Sequence, residues 1–171
     1  ALGLVDRMLR NFESPGEAIQ EAMLLRLDPV QESSADTRLR TLSLLESFKW
    51  PDFAERVTPS FLREQNARVL TAYLSAFQQQ PATSDAAFAR LVALLVDEST
   101  SPALAEDAAR ALVRLGDVGA LGADRMARLR PIAEALEPRL VAPAFVRLAG
   151  AVAEEAMLDR LEALLDSPDR A

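Results

Sequence analysis

Apolar residues follow helical spacing along nearly all of this 171-residue chain. Leu39, Leu42, Leu45 and Phe48 recur at steps of three, and Val69, Leu70, Tyr73, Leu74 and Phe77 at steps of three and four, which gathers them on one helix face. The pattern predicts first helices at 2–12, 36–48, 66–79, 102–115 and 138–152, alternating with second helices at 15–27, 51–63, 85–96, 124–136 and 154–165.

The alternation has a period. Apolar runs that end in an acidic residue occur at Leu24 to Asp28, Phe61 to Glu64, Leu94 to Asp97, Ile132 to Glu137 and Leu164 to Asp166, with the acids 36, 33, 40 and 29 residues apart. That is the length of two short helices and two turns, so one repeat is one helical hairpin. Five repeats, at about 1–28, 29–64, 65–98, 99–137 and 138–171, give a single all-α domain: a solenoid of about five antiparallel helix pairs.

Capping chemistry supports these limits. Ser14-Pro15-Gly16-Glu17 and Ser101-Pro102 each set a hydroxyl cap ahead of a proline, and Glu17 would complete a capping box with Ser14. Pro59, Pro131 and Pro143 fall inside apolar patterns; at Pro59 and Pro131, 72 residues apart, the helix either begins later than drawn or kinks.

Composition agrees with helix: aromatics are 5% and glycines only six, while Ala, Leu, Arg and Glu dominate. The 26 acidic and 19 basic residues leave a charge of -7, a field that opposes nucleic acid. With no Cys and no His, thiolate chemistry and the commonest metal ligand and general base are missing. There is also no phosphate-binding glycine loop and no serine nucleophile elbow, so the expectation is no enzyme and no cofactor. No apolar run approaches the roughly 20 residues needed to span a bilayer, and Asp6, Arg7 and Arg10 occupy the place of a secretion signal's apolar centre. The chain reads as soluble, with the compartment left open and the cytoplasm slightly favoured. The start at Ala1, without Met, suggests a fragment of a longer protein, and the use of Arg over Lys, 18 to 1, points to a bacterium.

Ala108-Ala109-Arg110-Ala111-Leu112-Val113-Arg114-Leu115-Gly116-Asp117 resembles the first helix of a HEAT repeat, with alanine packing and Leu-Gly-Asp at the turn. Arg38 to Leu45, followed by Pro51 and Pro59, is a weaker match, and Leu94 to Asp97 and Leu164 to Asp166 resemble the close of the second helix. The resemblance implies a right-handed superhelix of HEAT-like or armadillo type that serves as a scaffold, with recognition on the face lined by the second helices. It supplies no catalytic residues.

Each second helix carries an arginine: Arg26, Arg56, Arg90, Arg130 and Arg160. On one surface they would form a ladder able to hold carboxylates or phosphates of a partner. The plainer expectation is that each pairs with a nearby acid, Arg56 with Asp52 and Arg160 with Glu155. Trp50, the only Trp, sits at a turn and is either a binding anchor or a cap on the hairpin beside Phe48 and Phe53. Tyr73 is expected in the core with its hydroxyl at the edge, and Glu106-Asp107 as helix-terminal charges. The function read from these residues is a protein or peptide interaction module. The alternatives are a self-associating structural segment, with Leu2, Leu4, Val5, Leu158 and Leu161 at the ends of the stack, and, remotely, a DNA glycosylase built from HEAT-like repeats.

Overall fold

The computed structural model describes residues 16–48, 50, 52–135 and 143–152, and among them there are eight helices and no strand. The protein is all-α. The expected helices at 2–12 and 154–165, Ser14, Pro15 and the terminal leucines lie outside the described residues, as does Arg160. The chain divides between Ala87 and Phe88 into two compact units.

In the first unit, α1 (Glu17–Leu25) opens at Gly16, two residues later than the sequence suggested. α2 (Ala35–Ser47) is capped by Ser34, whose hydroxyl accepts from the Thr37 amide at 3.2 Å. α3 (Phe53–Arg63) follows Trp50, and α4 (Ala67–Gln79) is capped by Asn66, which accepts from the amides of Arg68 and Val69. These caps supply acceptors for amides that have no partner within the helix.

The apolar stripes of α3 and α4 are buried. Phe53, Ala54, Val57 and Phe61 of α3 and Val69, Leu70, Tyr73, Leu74 and Phe77 of α4 line the core, where Phe61 meets the Phe77 ring edge-on at 5.0 Å. Helix packing skips the neighbour in sequence: α1 lies against α3 and α2 against α4, in addition to the contact of α3 with α4. Polar pairs mark the same relation. Arg56 donates to Gln20 at 2.7 Å, Arg63 pairs with Asp28, and Arg68 reaches Asp36 at 3.3 Å.

The boundary between units falls within α5 (Asp85–Val96), whose Phe88, Leu91, Leu94 and Leu95 belong to the second. α5 ends at Asp97, which accepts from the amide and hydroxyl of Ser99 at 2.8 and 2.7 Å. α6 (Pro102–Asp117) begins as expected, with Ser101 as cap and Pro102 first in the helix. It runs through Leu115-Gly116-Asp117 rather than turning there. Ala120 N–H donates to Leu115 C=O and Gly119 N–H to Gly116 C=O, both at 2.9 Å, and Gly119 takes φ 72°, the left-handed value that closes such an end.

α7 (Ala123–Ala135) and α8 (Pro143–Val152) complete the described chain, with Pro143 as the first residue of α8. α6 again packs on the helix two places along, α8, and α7 also contacts α8. The small buried face of α6, Ala105, Ala108, Ala109 and Ala111, suits close approach of a neighbouring backbone. Pro59 and Pro131 lie inside α3 and α7, so those helices do not begin after their prolines; both prolines are exposed, where a missing amide donor leaves its carbonyl to water.

Candidate functional site

Arg56 of the expected ladder is held by three neighbours. The helical turn that carries Val57 into the core leaves Arg56 half-buried beside it, its Nη1 on Gln20 and its Nε 3.7 Å from Asp52, the expected acid. Its guanidinium also lies 4.9 Å from the centroid of the Trp50 ring. Trp50 is itself 5% exposed and stacks on Phe48 with ring centroids 6.0 Å apart, so the indole serves as a buried platform under Arg56. Its Nε1 has no hydrogen-bond partner among the described residues.

Arg26 follows the last residue of α1, is exposed, and pairs with Glu32 at 3.8 Å. Arg90 on α5 and Arg130 on α7 are half-buried in the second unit. The structure therefore gathers Arg56 with Trp50 in the first unit and carries Arg90 and Arg130 on helices of the second.

Among the described residues of the second unit lies a pair of neighbouring arginines that sequence reasoning missed. The Phe88 ring is wholly buried, with the guanidinium of Arg125 5.2 Å and that of Arg128 5.1 Å from its centroid. Both arginines belong to α7, one helical turn apart, and Arg125 also donates to the Ala120 carbonyl at 3.0 Å. The signal was the Arg125, Arg128 spacing of three, which places both side chains on one helix face.

Glu106 and Asp107, expected as helix-end charges, lie beyond the first turn of α6 and serve instead as partners of Arg110. Glu106 and Asp107 both accept from Arg110 at 3.1 Å, and partial burial lifts the Asp107 carboxyl above the ordinary aspartate value despite that cation. Tyr73 differs from expectation: its hydroxyl is inside the core, not at the edge. Burial first, and then the charge of Glu64, push the phenol well above its ordinary value; the Ser60 hydroxyl nearby opposes this without forming a well-shaped hydrogen bond.

A second unexpected group lies in the interior of the first unit. Arg38 and Glu64 form a buried ion pair, with Nε to Oε2 at 2.7 Å and Nη2 to Oε1 at 3.0 Å. Arg38 Nη1 also donates to the Glu32 carbonyl, and Glu64 Oε1 accepts from the amides of Gln65 and Asn66, so the carboxylate fixes the turn between α3 and α4. No described helix is long and apolar enough to cross a membrane. Compared with protein-family models, curated proteins and solved structures, the chain shows no match.

Proposed function

We propose that this chain is a HEAT-like α-solenoid that works by binding a protein or peptide on the surface lined by its second helices, without chemistry of its own. The observation that carries the reading is packing at one-repeat separation. Gln20 with Arg56, Asp28 with Arg63 and Asp36 with Arg68 are 36, 35 and 32 residues apart, each joining equivalent positions of adjacent hairpins. In the second unit Phe88 and Arg125 join second helices in the same way, and α6 with α8 joins first helices. Stacking of like on like extends a surface with every added repeat, which suits an extended partner. The second helices carry the arginines, and stacking on Trp50 keeps Arg56 in place for a partner's carboxylates.

The test is capture of the natural partner from the source cells by crosslinking, with the same capture repeated on Arg56→Glu, Arg90→Glu and Arg130→Glu combined. A stoichiometric partner lost on charge reversal is the expected result. Self-association is the second reading, favoured by Leu25 and Val30, which are 62% and 75% exposed. Sedimentation that rises with concentration, with no partner captured, would replace the first reading by this one.

A further inference from the structure

α1 is apolar on two sides. Met23, and Leu27 just beyond the helix end, are buried in the first unit, and Gln20 on the same side receives Arg56 of α3. At 100° per residue, Ala18, Ala22 and Leu25 fall on the opposite side, and all three are exposed. A helix that is apolar on two sides is built to be covered on both. The steps of four and three between these residues are those of a coiled-coil seam, with Glu21 and Arg26 in the positions that flank it, one on each edge. Glu21 is exposed and enters no ion pair among the described residues. Arg26 keeps a side chain 54% exposed, and Glu32, 3.8 Å from its Nη1, is beyond hydrogen-bonding distance.

We propose that this face of α1 pairs with the same face of a second copy of the chain, the two helices side by side and parallel about a two-fold axis. The proposal rests on the self-association reading, to which it gives a face and a symmetry, and it uses none of Arg56, Arg90 and Arg130. The charges select this occupant and this orientation. Rotation about an axis along the helices lays the Glu21 edge of each copy against the Arg26 edge of the other, so the same ion pair forms twice. The rise over five residues, about 7.5 Å, is within the combined reach of the two side chains. Antiparallel helices would set Glu21 against Glu21 and Arg26 against Arg26, which repel. The alanines let the two backbones approach closely, and Leu25 meets its own copy across the seam.

The experiment measures sedimentation of the full chain against concentration, with circular dichroism confirming the helix content of each variant. The native chain is expected to dimerise. Glu21→Arg and Arg26→Glu are each expected to weaken the dimer by about tenfold, because each turns both attractive contacts into repulsive ones, and the two changes in one chain are expected to restore it. The single variants move the net charge of -7 in opposite directions, so a dimer strengthened by one and weakened by the other would point to overall charge and overturn the paired contacts. The chain has no cysteine, so Ala22→Cys carries a single thiol beside the axis. Mild oxidation with diamide is expected to join two copies there by a disulfide, whereas Ser75→Cys, exposed on α4, stays unlinked. Linkage at Ser75→Cys but not at Ala22→Cys would overturn the assignment to α1. A native chain that stays monomeric at every concentration would overturn the dimer and leave the partner-binding reading standing. In that case a thiol of Ala22→Cys that resists maleimide assigns the face to residues 1–15 of this chain, and a reactive one assigns it to another protein.

Discussion

Arg38 and Glu64 hold one another by two parallel hydrogen bonds, of 2.7 and 3.0 Å, in the interior of the first unit, at 5% and 1% exposure. A buried pair of this kind repays its desolvation only when its remaining donors and acceptors are used. Here they are, by the Glu32 carbonyl and the amides of Gln65 and Asn66. Removing one partner leaves a buried charge alone, so Arg38→Ala or Glu64→Ala is expected to cost about 3–5 kcal/mol. Arg38→Leu with Glu64→Leu should cost clearly less than the two single losses together. Urea denaturation of the single and double variants measures this, and simple additivity would show that the pair does not act as a unit.

That pair also shows how far the sequence was legible. Apart from the start of α8, drawn at 138 and found at Pro143, apolar spacing located the ends of the described helices to within about two residues, because burial of a stripe is the main force that orders them. The same spacing held the missed clue: Arg38 stands at the helical phase of Thr41, Leu42 and Leu45, all buried, so a charge was being carried into the core and needed a partner. What the sequence did not show was the partner, since Glu64 sits 26 residues away at what reads as an ordinary acidic helix end. Phe88 was equally hidden, because an apolar residue on a buried stripe carries no mark of the two cations that cover it. Leu115-Gly116-Asp117 misled in the other direction: Gly116 sits in the helix, and Gly119 makes the left-handed turn.

The alanine face of α6 makes a sharper case for packing than for propensity. Ala108 is fully buried, and α6 packs on α8. Leucine at 108 keeps the helix preference but must push the neighbouring helix away. Ala108→Leu is expected to destabilise the fold by about 1–3 kcal/mol, the usual cost of overfilling a packed core. Thermal unfolding measures it; no loss would mean that this face has room to spare.

Pro59 tests the opposite effect. It lies inside α3 on the exposed side, where it denies a donor to the Glu55 carbonyl. Pro59→Ala restores that bond and removes the ring's clash with the preceding turn, against a loss of the proline's restraint on the unfolded chain. The expected net gain is about 1–2 kcal/mol, read as a higher urea midpoint with an unchanged slope. A loss of stability would mean that α3 depends on the bend that proline imposes.

Tyr73 gives the chain a built-in optical probe, because it is the only tyrosine. Burial, then the Glu64 charge, raise its phenol above the ordinary value of 10.0. In the folded chain the proton is therefore kept where the unfolded chain has already released it. Between those two values the unfolded state binds fewer protons, so stability is full below about 10 and falls as pH climbs beyond it. Tyrosinate absorbance should stay absent as pH passes the ordinary phenol value, then appear together with loss of the helical signal. Phe61, 5.7 Å away, and Phe77, 6.2 Å away, keep water from the ring, so a smooth titration at the ordinary value with helices intact would show that water reaches the hydroxyl and that this part of the core is open.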